Sequence, residues 1–102
     1  MLERDLEKAC RLTAIERKFM LIKLVSPGFS GIPDRLLIDA IGGMSFVELK
    51  TETGRLSKLQ QAVHNKLRSH NCHVTVIRNL QQFGELLDAY ERSVTPLPTH
   101  RD

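Results

Sequence analysis

Apolar positions at Leu2, Leu6, Ala9 and Cys10, with Thr13, recur at three- and four-residue steps and predict a first helix from Leu2 to about Arg17. Phe19 to Val25 is an apolar run broken only by Lys23 and stopped by Pro27-Gly28, so it reads as a strand. Arg35–Ala40 and Ser45–Lys50 are short apolar segments around Ile41-Gly42-Gly43-Met44. The two glycines supply the positive φ of a turn, and the segments pair as an antiparallel hairpin. Leu56, Leu59, Val63 and Leu67 mark a second helix after Ser57, closed by Asn71, which tolerates the left-handed conformation. His73–Arg78 is β-branched, and its distance from the hairpin suits a parallel crossover through that helix. Leu80, Phe83, Leu87 and Tyr90 give the face of a last helix. The expected order is α-β-β-β-α-β-α, an α/β (α+β) domain with a mixed four-stranded sheet flanked by helices, over residues 1–93. The segment 94–102, with two prolines and no periodicity, is expected to be a flexible tail.

At 102 residues, 41% apolar and 26% charged, the chain has the composition of one ordinary globular domain. It holds no apolar run of about 18 residues, and its first ten residues, MLERDLEKAC, are too charged for a secretory signal. A cytoplasmic location without membrane contact is the expectation. Cys10 and Cys72 are isolated and read as reduced thiols. Fifteen Lys and Arg give a net charge of +3, which suits a polyanionic partner where they share a face.

The chemistry concentrates in the hairpin. In a strand, residues two apart share a side, so Glu48 and Lys50 lie on one face and Val47 and Leu49 on the other. Asp34 opens the partner strand, where the turn brings it back beside Glu48. Two such carboxylates repel unless a divalent cation lies between them, and hard oxygen donors are what Mg²⁺ or Mn²⁺ takes. With Lys50 on the same face, the set suits phosphodiester hydrolysis. The plain alternative is a solvated Glu48–Lys50 pair with Asp34 capping a turn. Glu16-Arg17-Lys18 is also an acid-x-Lys triplet, but it falls at a helix end, where residues two apart do not share a face. His64, His70, Cys72 and His73 lack the second paired set of a zinc site. No phosphate-binding loop or dinucleotide fingerprint occurs, so no nucleotide cofactor is expected.

GIPD (31–34), VELK (47–50) and LSKLQ (56–60), behind ERDLEK (3–8), together resemble the VRR-NUC family of the PD-(D/E)XK nuclease superfamily. The likeness runs from Glu3 to about Leu87. It implies the same core order. It also implies that Asp34 and Glu48 hold the metal with the Leu49 carbonyl, that Lys50 is the catalytic lysine, and that an acid of the first helix completes the site. Glu3 and Glu7 are both available for that last place, and Glu3 fits the family's pattern better. Gln60 matches the family's glutamine near the active site, yet Ser57-Lys58-Leu59-Gln60 also has the form of a capping box. Lys23 stands where the family often has a lysine facing the substrate, and a strand-edge lysine is its plain alternative. The family commonly has glycine between the first helix and strand, where this chain reads AIERKF.

The leading expectation is a Mg²⁺- or Mn²⁺-dependent, structure-specific DNA endonuclease. Its candidate DNA-binding residues are Arg35, Arg55, Lys58, Lys66, Arg68 and Lys23, which make phosphate contacts. The resemblance points to branched DNA such as a four-way (Holliday) junction. One small site per chain then calls for a homodimer if two strands are cut symmetrically. Two other readings are a non-catalytic DNA-binding or assembly module with a nuclease fold, and a repair or restriction-type subunit that acts with a partner.

Overall fold

Leu37, Val47, Leu49 and Ile77 are almost wholly buried, and the residues between them along each strand are more polar or more exposed. That period of two defines a sheet with one deeply covered face. The computed structural model describes residues 2–93, so the expected tail lies outside the described residues. The elements are α1 (Glu3–Glu16), β1 (Met20–Lys23), β2 (Arg35–Ile38), β3 (Met44–Leu49), α2 (Lys58–Ser69), β4 (Val74–Ile77) and α3 (Leu80–Arg92). The four strands lie in the order β1-β2-β3-β4; the first three are antiparallel, and β4 joins β3 in parallel through α2. No helix among the described residues is long and apolar enough to cross a membrane.

The covered face packs on Leu6, Cys10 and Ala14 of α1 and on Phe83, Leu86 and Leu87 of α3. Burial pushes the Cys10 thiol up to about 12, assisted by the charge of Glu7, so it is an inert part of this core. Arg17 clamps the two helices together, donating to Glu91 at 2.9 Å and to Asp88 at 2.6 Å. Along the other face, strand register aligns Met20 with Ile38 and Met44, and Ile22 with Leu36 and Phe46. Of these, Met20, Ile22 and Met44 are exposed.

Local chemistry explains where elements end. β1 is shorter than its apolar run because it is an edge strand paired only with β2; the pairing closes where the Leu24 N–H donates to the Asp34 carbonyl, leaving Val25 exposed. Lys18 takes a left-handed φ of 64° between α1 and β1, a conformation that favours glycine. In the hairpin turn only Gly42 has a positive φ, of 91°. Gly43 does not, contrary to expectation. A Cβ there would run into the Asp39 carboxylate, whose Oδ1 accepts from the N–H groups of Ile41 and Gly43, so a side chain at this position would displace that carboxylate. α2 starts with a complete capping box, Ser57 Oγ accepting from the Gln60 N–H at 3.0 Å and Gln60 Oε1 from the Ser57 N–H at 2.9 Å. Asn71 follows α2 with φ 64°, as expected of a left-handed helix end. Three apolar assignments do not hold: Leu2, which precedes α1, Leu59 and Leu80 are exposed. The buried residues of α2 are Val63 and His64, and α3 buries Leu86 as well as Phe83 and Leu87.

Gly31 joins the loop before β2 to α2. It has φ 86°, and a Cβ there would meet Val63 Cγ2 at 2.9 Å and the Leu59 carbonyl oxygen at 3.1 Å. Gly31→Ala therefore combines backbone strain with overpacking and is expected to destabilise the fold by about 2–4 kcal/mol. Gly28→Ala, facing open space, is expected to change stability by less than about 0.5 kcal/mol. Chemical denaturation of the two variants checks the contrast.

Candidate active site

The antiparallel register of β2 and β3 pairs Arg35 with Val47, and one further step sets Asp34 opposite Glu48. Both side chains then fall on the face away from the α1–α3 core, and Lys50 shares it by alternation. Pro33 is fully buried and delivers Asp34 to the start of β2. The Asp34 carboxylate is held by the Leu49 N–H, which donates to Oδ1 at 3.2 Å, while Arg35 Nη1 lies 3.5 Å from Oδ2 and donates to the Asp34 carbonyl at 2.9 Å. Glu48, only 4% exposed, has Oε2 at 3.9 Å from Lys50 Nζ and Oε1 at 3.9 Å from His64 Nε2 of α2. Arg78 steadies the turn that follows Lys50, its Nη1 donating to the carbonyls of Thr51 and Gly54.

This arrangement is electrostatically uncomfortable for the protein alone. Burial, with the charge of Asp34, pushes the Glu48 carboxyl up to about 7, more than the favourable charge of Lys50 offsets. Burial raises Asp34 too, against the Leu49 N–H and Arg35, which favour its ionised form. Glu3, at the start of α1, raises both carboxyls through its charge. Glu7 is paired instead with Arg11, 3.4 Å away, and its charge falls on Cys10. His64 is shifted the opposite way, lowered by burial and by the charges of Arg68 and Lys50.

A divalent cation fits this donor set. The convergent groups are hard carboxylate oxygens, and Glu48 Oε1 is buried with no hydrogen-bond partner among the described residues. The described residues do not form a ready cage of three or more His, Cys, Asp or Glu side chains. A small hard cation that keeps much of its water needs only one or two carboxylates.

The remaining candidate residues are spread around this centre. Gln60 is engaged in the α2 capping box through Oε1. Lys23 lies at the exposed end of β1, on the opposite face of the sheet from Glu48. Arg35 is tied to Asp34, and Arg68 binds the Val74 carbonyl at 3.0 Å and Asn65 at 3.2 Å. Arg55, Lys58 and Lys66 are exposed and make no ion pair among the described residues. His64 is the residue whose place in the site the zinc comparison passes over. Its spacing from Gln60, Val63 and Leu67 puts it on the inward stripe of α2, and that signal was available in the sequence.

The VRR-NUC domain family model matches residues 3–79. A solved structure titled as a VRR_NUC domain superposes with a TM-score of 0.78 at 28% sequence identity, covering 86% of this chain and 96% of that one. No curated protein matches the chain.

The raised carboxyls fix the sign of a pH dependence. Burial pushes the Glu48 carboxyl up to about 7 in the folded chain, against about 4.5 for a carboxyl in water, so the stability linked to its neutral form is complete below about 4.5 and lost as pH rises through about 7. In metal-free protein this loss is expected to reach about 3 kcal/mol, with Asp34 adding in the same direction. Glu48→Gln is expected to flatten the profile between pH 4.5 and 7, which thermal melts in chelator check.

Proposed function

The chain belongs to the VRR-NUC domain family, whose members carry a nuclease-type, DNA-processing function, and on that footing we propose that it is a divalent-metal-dependent endonuclease that hydrolyses phosphodiester bonds in branched DNA. The observation that carries this reading is the opposition of Asp34, at the entry to β2, and buried Glu48 of β3, each raised by burial, with Lys50 on the same face. A purely binding module gains nothing from holding two carboxylates where each raises the other's cost of ionisation.

In this mechanism Asp34, Glu48 and the Leu49 carbonyl hold Mg²⁺ or Mn²⁺, with Glu3 as the nearby third acid and Glu7 turned to Arg11. When bound, the cation acidifies water and polarises the scissile phosphate. Lys50, whose ammonium lies beside Glu48, balances the negative charge that develops on the phosphate. The Leu49 N–H and Arg35 orient Asp34 and favour its ionised form against the effect of burial. Gln60, held by its cap, keeps its amide nitrogen for a contact at the site entrance. Arg55, Lys58 and Lys66 are the exposed cations available to phosphates, and Lys23 takes part only where the duplex reaches round the edge strand.

Branched DNA presents two strands to be cut, and each chain has one such site, so a homodimer is the working form. The open apolar face with Met20, Ile22 and Met44 supports this, because it borders the site and is otherwise left in water. Met44→Glu is expected to leave the monomer folded and to shift sedimentation velocity profiles from dimer to monomer. An unchanged profile excludes this face.

The activity is tested on four-way junction, flap and linear duplex DNA with Mg²⁺ or Mn²⁺. The unmodified protein is expected to cut the junction preferentially. Asp34→Asn and Lys50→Ala are each expected to lose about 10²–10³-fold in rate while still binding it. Equal binding by all three proteins with no cutting under either metal establishes the binding-module reading instead.

A further inference from the structure

His64 is 1% exposed, and both its ring nitrogens are buried without a hydrogen-bond partner among the described residues. Its Nε2 lies 3.9 Å from Glu48 Oε1, itself buried and unpartnered. Two orphaned polar atoms of opposite capacity, facing each other across a gap about 1 Å longer than a hydrogen bond, form a natural pair. Val63, the neighbour of His64 on α2, lies close against Gly31 of the loop that leads to Asp34. We infer that His64 is a positioning residue: its Nε2–H donates to Glu48 Oε1 and fixes the rotation of the carboxylate, with Oε2 on the side of Lys50.

The tautomer follows from the geometry. A neutral imidazole protonated at Nδ1 would point the Nε2 lone pair at the carboxylate oxygen, a repulsive contact, and would bury an unpaired N–H. Protonation at Nε2 turns the contact attractive and leaves only an acceptor unpaired. Ion pairing is not needed, and the neighbouring cations Lys50 and Arg68 oppose a positive charge on the ring. A carboxylate that serves a cation gains from such an outer hydrogen bond, because a free carboxylate must give up rotational freedom each time it binds. Lys50 cannot supply this restraint alone, since its flexible stem leaves the ammonium mobile.

This inference rests on the proposed metal-dependent reading, and its test separates the two. In metal-free protein without DNA, at a pH well above 7 where the Glu48 carboxyl is ionised, nitrogen-15 NMR of the His64 ring is expected to show the Nε2–H tautomer. Its Nε2 proton should be slow to exchange and downfield, and should move upfield in Glu48→Ala. An Nδ1–H tautomer, or a ring proton that ignores Glu48→Ala, overturns the inference whatever the protein's activity. Mn²⁺ binding to the protein alone, followed by electron paramagnetic resonance, supplies the second readout. His64→Leu is expected to weaken it about tenfold, and His64→Gln, which restores an N–H donor, to recover most of that loss. Equal Mn²⁺ affinity in the unmodified protein and His64→Leu also overturns the inference. If the unmodified protein binds no Mn²⁺, the metal-dependent reading fails while the NMR result still decides the hydrogen bond.

Discussion

Two carboxylates brought face to face across β2 and β3 organise this small domain. Asp34 and Glu48 meet because antiparallel pairing carries the strand register one step past Arg35 and Val47. The surrounding devices hold that meeting in place: the Leu49 N–H on Asp34, Arg35 beside it, buried Pro33 before it, and Gly31 seating the loop against α2. The fold bears an electrostatic cost here, visible as raised carboxyl pKa values, where apolar residues would be more stable. Such local conflict with stability supports the proposal that these residues serve chemistry.

The sheet divides its labour between two faces. One is packed by α1 and α3 into a continuous core, which gives β3 the rigidity to present Glu48 and, one residue past its end, Lys50, whose N–H continues the ladder to Ile77. The other carries the acids, α2 and an open apolar strip. Because Val47 and Leu49 are anchored in the core, the side chains between and beyond them are aimed without any loop having to hold them. A slip of one residue in β3 would reverse this, burying Glu48 in hydrocarbon and exposing Leu49.

Much of this was legible beforehand, for physical reasons. Element order followed from period, and the shared face of Glu48 and Lys50 followed from the alternation of a strand bounded by turn residues. The Ser57–Gln60 capping box could be read directly, because capping is a local interaction. What depended on tertiary context was less visible. The edge strand β1 stops where its one partner turns away, which apolar content cannot reveal. Leu59 falls within a helical stripe by spacing, but the inward direction of α2 is set by the sheet and runs through Val63 and His64. His64 invited comparison with zinc spacings, whereas its position on that stripe is the informative signal. Lys18 occupies a left-handed turn without the glycine that would have marked it.

The claim at the centre is that the space between Asp34 and Glu48 is a cation site. Crystals soaked in Mn²⁺ and measured at an energy where manganese scatters anomalously address it without reference to substrate or rate. The account predicts one strong anomalous peak within coordination distance of both carboxylates. A map with no peak there, or with manganese bound only elsewhere on the surface, contradicts it.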